Sequence, residues 1–380
     1  MIIKNVKVYT ESMEFVSKEI AIRDGRFAEV KDADPTEEVL DGEGCYAIPG
    51  LIDLHFHGCK GYDFCDGTKE AIARIAEYEA SVGVTAIAPA TMTLPVNELE
   101  EILAVAAAYK EEAKDSAGAD LIGVNMEGPF ISEEKKGAQD ARNIISCNED
   151  ICRRFLQASG GLVKFVGIAP ERSENTKDFI LKMKDQVHIS LAHTNADYDT
   201  AMEAFKAGAD HAVHLYNAMP AFTHRNPGVV GAVSDSAHVN AEMICDGVHI
   251  HPSVVRATFK MLGADRIILI SDSMRATGMP DGRYTLGGLE VDVTGNRATL
   301  ASNGALAGSA TNLMDCMRTA VLKMGIPLET AVACATRNPA RCLGVYGEYG
   351  SITPGKRGNA VLLDRELKVK AVIKDGVRVA

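Results

Sequence analysis

Nothing in the chain pairs its cysteines, concentrates its positive charge or strings its apolar residues into a long run, and each absence closes off a class of function. The nine cysteines (Cys45, Cys59, Cys65, Cys147, Cys152, Cys245, Cys316, Cys334 and Cys342) stand singly, with no C-x-x-C pair. An odd number without that spacing reads as the reduced thiols of a cytosolic protein. Lysine and arginine total 40 against 52 aspartates and glutamates, the net charge is −12, and the basic residues form no run. Such a surface excludes nucleic acid and anionic membrane as partners. No apolar stretch approaches the roughly 18 residues of a transmembrane helix. The N-terminal "MIIKNVKVYTESMEF" alternates apolar and polar residues where a signal peptide has a continuous apolar block. The expectation is a soluble, cytoplasmic protein.

There is also no G-x-S-x-G turn to carry a nucleophilic serine, and no glycine-rich dinucleotide loop. The segment "GALAGSA" (304–310) is glycine-rich but lacks the lysine of a P-loop and the preceding strand of a dinucleotide fingerprint. It reads as a turn into a helix whose backbone, at Leu306, borders a pocket.

What is present is a patterned, core-forming chain. Hydrophobic residues make up 46% and charged residues 24%, a balance that supports a large core and argues against disorder. Residues 1–48 and the C-terminal "NAVLLDRELKVKAVIKDGVRVA" both read as short alternating strands, and each carries an Asp-Gly hairpin turn, at Asp24-Gly25 and Asp375-Gly376. Two β-rich ends of one chain pair most simply into one small β-domain, residues 1–48 with 344–380. Between them, apolar strands alternate with helical segments such as "TKEAIARIAEYEASVG" and "VNELEEILAVAAAYKEEAK". The strands are "LIDLHFHG", "VTAIAPAT", "ADLIGVNMEGPF", "VKFVGIAP", "HISLAHTN", "HAVHLYNAM", "AEMICDGVHI" and "RIILISDSM". Near-continuous apolar strands linked by helices imply a closed parallel (β/α)8 barrel over 49–343, with an open doubly wound sheet as the runner-up. The segment 281–301 interrupts the pattern after the eighth strand and reads as an inserted β-hairpin.

A barrel of this kind carries its chemistry at the C-terminal ends of its strands. In "PGLIDLHFHG" (49–58) two histidines follow a Pro-Gly turn at i and i+2, so His55 and His57 share one strand face. Each desolvated ring needs partners for two nitrogens, and one cation would serve both residues; an isolated H-x-H is also satisfied by backbone carbonyls or water. The other strand ends supply Thr91, Glu127, Pro170, His193, His214, Asp246 with His249, and Asp272. His193 and His214 are one βα repeat apart, on neighbouring strands at one level. Glu127 completes a set of two imidazoles and one carboxylate, which suits Zn2+ or Fe2+ with a position open for water. Asp272 ends "IILISD" and, beside a metal, suits a general base. Arg225 in "THRNPG" fits a surface position or the recognition of a phosphate or carboxylate. His188 and His211 begin their strands on the opposite rim and are given structural roles. His224, His238 and His251 fall in loops or helix starts, His251 as a cap ahead of Pro252.

The blocks "PGLIDLHFHG", "NMEGPFIS", "LAHTNA", "AVHLYNAM", "CDGVHIHP", "LISDSM" and "LAGSA" together resemble the N-acetylglucosamine-6-phosphate deacetylases of the amidohydrolase superfamily. The H-x-H is shared by many hydrolases; "MEGPF" with "HLYNAM" is far more specific. The resemblance covers essentially the whole chain. It implies a barrel carrying a small β-sandwich built from both termini. It also implies hydrolysis of the acetamide of N-acetylglucosamine 6-phosphate to glucosamine 6-phosphate and acetate in amino sugar catabolism, or of the galactosamine epimer. By this likeness Glu127, His193 and His214 hold the main divalent ion, Zn2+ or Fe2+, and His55 and His57 hold a second where one exists. Asp272 resembles the catalytic acid/base, and Asn217, Ala218, His249, Gln139 and Leu306 resemble substrate contacts. Arg225 resembles a phosphate-binding arginine that reaches the neighbouring subunit's site, which implies a homodimer. One departure stands out: some members carry histidine where this chain has Gln139, and a glutamine cannot carry a proton. Related cyclic-amide hydrolases bridge two metals with a modified lysine at the end of strand four, and this strand ends "GIAP". A catalytically dead scaffold would have lost ligands that this chain keeps.

Overall fold

The computed structural model describes residues 1–30, 37–113 and 116–380. Residues 31–36 of the N-terminal β-rich stretch and Lys114 of the second helical stretch lie outside them.

Eight parallel strand positions form a closed (β/α)8 barrel: Leu51–Asp53, Val84–Ile87 continuing at Ala90–Thr91, Asp120–Leu121 continuing at Val124–Phe130, Val163–Ile168, His188–Leu191, His211–Ala212, Asn240–Ile244 and Ile267–Ile270. The ring closes between the eighth strand and the first, where the Asp272 N–H donates to the His55 carbonyl (2.9 Å) and the His57 N–H to the Ser273 carbonyl (2.7 Å). The crossovers are helices α1 (Lys69–Ser81), α2 (Val96–Glu112), α3 (Glu149–Ala158), α4 (Thr176–Met183), α5 (Tyr198–Ala207), α6 (Gly228–Asp235) and α7 (Pro252–Leu262), with α8 (Leu313–Leu322) after the last strand. Helix starts follow the side-chain chemistry: Thr68 and Asp197 accept from backbone N–H groups at the starts of α1 and α5, and His251 caps α7 ahead of Pro252. Strand residues are buried on both faces because helices cover the outside and side chains fill the inside.

The strands are shorter than the apolar runs that announce them. "HAVHLYNAM" is extended only at His211–Ala212, and "HISLAHTN" only at His188–Leu191. His193, His214, Ala218 and Asp272 adopt positive φ (42°, 28°, 52° and 50°), a left-handed geometry that cannot continue a strand. His193, His214 and Asp272 therefore sit on the first residues of the loops, while Glu127 stays within its strand.

Strands from both ends of the chain build two further sheets. One runs Arg26–Ala28, Ile20–Arg23, Ile2–Lys4, Val39–Asp41; the other runs Val377–Arg378, Val369–Lys374, Ala360–Leu363, Tyr46–Pro49, Lys7–Tyr9, Phe15–Ser17. Their inner residues share one apolar cluster that includes Ile3, Val8, Ile22, Phe27, Leu362 and Ile373. Both Asp-Gly turns form, with φ of 50° and 72° at Asp24-Gly25 and 47° and 80° at Asp375-Gly376, the backbone of a type I′ hairpin.

Two expectations need correction. Pro49-Gly50 is no turn: Pro49 ends a sheet strand and Leu51 begins the barrel two residues later, with only Gly50 between them. Gly50 is required because a Cβ there would lie 2.1 Å from Thr85 Oγ1. The insertion is a three-stranded antiparallel sheet, Gly282–Leu286, Leu289–Thr294 and Arg297–Leu300, where one hairpin was expected. Gly287-Gly288 and Gly295-Asn296 each reverse the chain.

Candidate active site

A cavity of about 300 Å3 opens at the C-terminal end of the barrel, and its lining includes His57, Glu127, His193, His214, His249 and Asp272. Glu127, in the third strand, is the point on which the imidazoles converge. Its Oε1 lies 2.9 Å from His214 Nε2, 3.0 Å from His193 Nε2 and 3.3 Å from His55 Nε2. Its Oε2 lies 3.3 Å from His57 Nε2, which is also 3.3 Å from Asp272 Oδ1. Two buried trios result, Glu127 with His193 and His214, and His55 with His57 and Asp272, and within each trio the candidate ligand atoms lie within 4.8 Å of one another.

The opposite ring nitrogens explain why these Nε2 atoms suit a cation. Nδ1 of His193 donates to the Lys135 carbonyl (2.8 Å), Nδ1 of His214 to the Asn217 carbonyl (3.1 Å) and Nδ1 of His55 to Glu242 Oε2 (2.9 Å). With the proton held at Nδ1, each neutral ring turns a bare lone pair inward, the tautomer a metal needs. His193 Nε2 and His214 Nε2 stand 3.2 Å apart, and His55 Nε2 is buried with no hydrogen-bond partner among the described residues. Lone pairs at this separation repel unless a cation lies between them. The donor set, imidazole nitrogen and carboxylate oxygen, fits a divalent transition metal.

Glu242 was not among the residues singled out in the sequence, because it stands inside the apolar run "AEMIC". It is fully buried. Its Oε1 accepts from His211 Nε2 (2.9 Å) and Asn125 Nδ2 (3.3 Å), and its Oε2 accepts from His55 and from the His214 N–H (3.2 Å). His211 begins its strand as expected, but its ring is buried inside the barrel, one carboxylate away from His55. His188 does sit half-exposed at its strand start, paired with Asp210 (2.6 Å).

Gln139 lines the cavity, and its side chain does more than face it. Its Nε2 donates to Glu127 Oε2 (2.7 Å) while its Oε1 accepts from the Thr93 N–H (2.7 Å), which pins the carboxylate from the side away from His193 and His214. His249 receives Asp246: Nδ1 lies 2.8 Å from Asp246 Oδ2, and Asp246 Oδ1 accepts from the N–H groups of Val248 and His249. Burial disfavours the imidazolium, but Asp246 outweighs it and raises the His249 pKa above its ordinary value. Asn217, Ala218 and Leu306 line the same cavity. Arg225 does not: it is exposed, 2.7 Å from His224 Nε2, and lies outside the cavity of its own chain.

The amidohydrolase family model matches residues 46–379. The chain belongs to the amidohydrolase family. Among related amidohydrolases, the N-acetylglucosamine-6-phosphate deacetylase of Bacillus subtilis is 33% identical over 99% of this chain and 96% of its own length. The N-acetylgalactosamine-6-phosphate deacetylase of Escherichia coli is 34% identical over 96% of each. The structure of N-acetyl-D-glucosamine-6-phosphate deacetylase from Mycobacterium smegmatis, in complex with N-acetyl-D-glucosamine-6-phosphate, superimposes with a TM-score of 0.91 at 31% identity. It covers 100% of this chain and 99% of that one. This amidohydrolase has, among its described residues, no helix long and apolar enough to cross a membrane.

Proposed function

We propose that the protein hydrolyses the acetamide of N-acetylglucosamine 6-phosphate, giving glucosamine 6-phosphate and acetate. The observation that carries the reading is the convergence of four imidazoles on Glu127, with Asp272 3.3 Å from His57 Nε2, at a cavity that is also lined by His249, the hydrogen-bonded partner of Asp246. Glu127, His193 and His214 would hold Zn2+ or Fe2+, and His55 and His57 a second ion. A bound divalent ion supplies Lewis acidity, which acidifies water and polarises an amide carbonyl.

The chain's own groups do the rest. Asp272 takes a proton from the attacking water and returns it to the departing nitrogen, which leaves as a neutral amine. The bond broken is C–N, the bond made is C–O, and the second water proton leaves with the acetate group. Imidazolium at His249 suits the 6-phosphate, and Asn217 with the backbone at Ala218 suits the sugar hydroxyls. Arg225 reaches the partner subunit's site, so the working unit is a homodimer. The residues 1–48 and 344–380 act as a separate small domain beside the barrel, and the unpaired thiols suit the cytoplasm.

The likeness to an N-acetylgalactosamine-6-phosphate deacetylase supports a second reading, in which the galactosamine epimer is the better substrate. Acetate release is the test, from both 6-phosphates and from unphosphorylated N-acetylglucosamine, on chelator-treated protein with and without Zn2+ or Fe2+. Metal-dependent turnover of the phosphorylated sugars alone is expected, and the ratio of the two epimers decides between the readings. Absence of turnover with any metal overturns both.

A further inference from the structure

We infer that Leu286 and Met92 form an acyl pocket that limits hydrolysis to short N-acyl groups. The inference rests on the deacetylase reading and concerns the part of the substrate that leaves.

The lining of the cavity is chemically divided. Asn217, His249 and Lys135 are polar, while Met92, Ala138, Leu286 and Ala307 belong together to one apolar cluster. All four apolar residues are buried members of one cluster, backed by Met274, Val291, Val293 and Leu300. The wall lies next to groups that adjoin Glu127 at one end and Asp272 at the other. At one end Met92 Sδ lies 3.8 Å from Gln139 Nε2, the amide that holds Glu127. At the other, a Cβ on Gly308 would lie 3.4 Å from Leu286 Cδ2 and 3.1 Å from the Asp272 carbonyl oxygen. Leu286 comes from the inserted sheet and Met92 from the end of the second strand, and the Gly287 turn closes them together: a Cβ there would meet Met92 Cε at 2.7 Å.

An amide carbonyl directed at Glu127 and Asp272 has two substituents to place. The nitrogen carries the sugar, whose hydroxyls and phosphate require the polar residues. The acyl carbon chain is left facing Leu286 and Met92. A methyl group fits an apolar wall, but behind this wall the side chains of Met274, Val291, Val293 and Leu300 are buried in one packed cluster, so longer chains must displace core side chains. A hydrophobic pocket discriminates by roughly 10–200-fold per methylene.

The test is kcat/KM for the N-acetyl, N-propionyl and N-butyryl derivatives of glucosamine 6-phosphate with the metal-loaded full-length enzyme and with Leu286→Ala and Met92→Ala. The wild type should prefer acetyl over butyryl by at least roughly 10-fold, and either variant should reduce that preference by roughly 10-fold or more. Should Leu286→Ala fail to fold, Leu286→Val and Met92→Ala carry the comparison. A wild type that hydrolyses butyryl as well as acetyl, or variants that keep the wild-type ratio, overturn the acyl pocket and leave the deacetylase reading standing. A wild type that releases no acetate overturns that reading, and the pocket with it.

Discussion

Glu242 joins His211 to His55 and also takes the backbone N–H of His214, so one buried carboxylate orients two of the imidazoles around Glu127. Glu242→Gln replaces an acceptor of several N–H groups by a neutral amide, and removing such a support typically costs 10–100-fold in metal affinity or activity. Metal content after graded dialysis against a chelator should show the loss at lower chelator concentration than in the wild type; equal retention would remove Glu242 from the site. Asp246 acts on His249 in the same manner but toward a different end. Because Asp246 raises the His249 pKa, the imidazolium is present below that raised value and is lost as pH rises through it. Asp246→Asn lowers the pKa, so the rise of KM for the phosphorylated sugar should move to lower pH, while the phosphate itself titrates identically in both proteins. KM measured between about pH 5.5 and 8.5 checks this, and an unshifted profile refutes it. At this scale the sequence was readable wherever a chemical residue ended an apolar run, as His55, His57, Glu127, His193, His214 and Asp272 do. Glu242 was hidden because it sits inside a run, where a lone carboxylate carries no periodic signal. Gln139 showed as a pocket residue, but its grip on Glu127 depends on how a loop folds back.

The elements were legible from period and from turn chemistry. Apolar strands alternating with amphipathic stretches gave the barrel, and two Asp-Gly pairs gave two hairpins, since only residues tolerant of positive φ fit a type I′ turn. Strand ends were less legible. Left-handed φ at His193, His214 and Asp272 stops the strands early, and nothing local marks a histidine for that backbone. The joint between sheet and barrel is a clearer case of contact prevailing over local signal. Pro49-Gly50 has the composition of a turn, yet Gly50 is set by the Thr85 side chain, whose Oγ1, Cγ2 and Cβ lie 2.1, 2.5 and 2.8 Å from where its Cβ would stand. Gly50→Ala should therefore destabilise the protein by about 1–3 kcal/mol through overpacking. Adding Thr85→Ala removes two of the three clashing atoms and should recover part of the loss, a coupling that urea unfolding of the single and double variants measures. Additive losses would show that the clash is relieved elsewhere.

At the scale of the whole molecule, the role proposed for Arg225 depends on assembly. It is exposed and outside its own chain's cavity, on a loop that also exposes Phe222. An arginine that serves a partner's site makes a prediction that no single-chain role makes. Arg225→Ala should raise KM for the phosphorylated sugar by roughly 10–150-fold, the loss of a charge-assisted contact of about 1.5–3 kcal/mol, with kcat less affected. Asp272→Asn should abolish turnover while leaving Arg225 in place. When the two variants are mixed and allowed to exchange subunits, each mixed dimer has one site that combines the intact Asp272 of the Arg225→Ala chain with the intact Arg225 of the Asp272→Asn chain. In a two-fold dimer with random exchange, about a quarter of all sites are restored. Turnover at low substrate concentration should then exceed that of either variant alone and should show a wild-type KM component. If Arg225 served its own chain, no pairing could restore a site, and the mixture would behave as a dilution of Arg225→Ala.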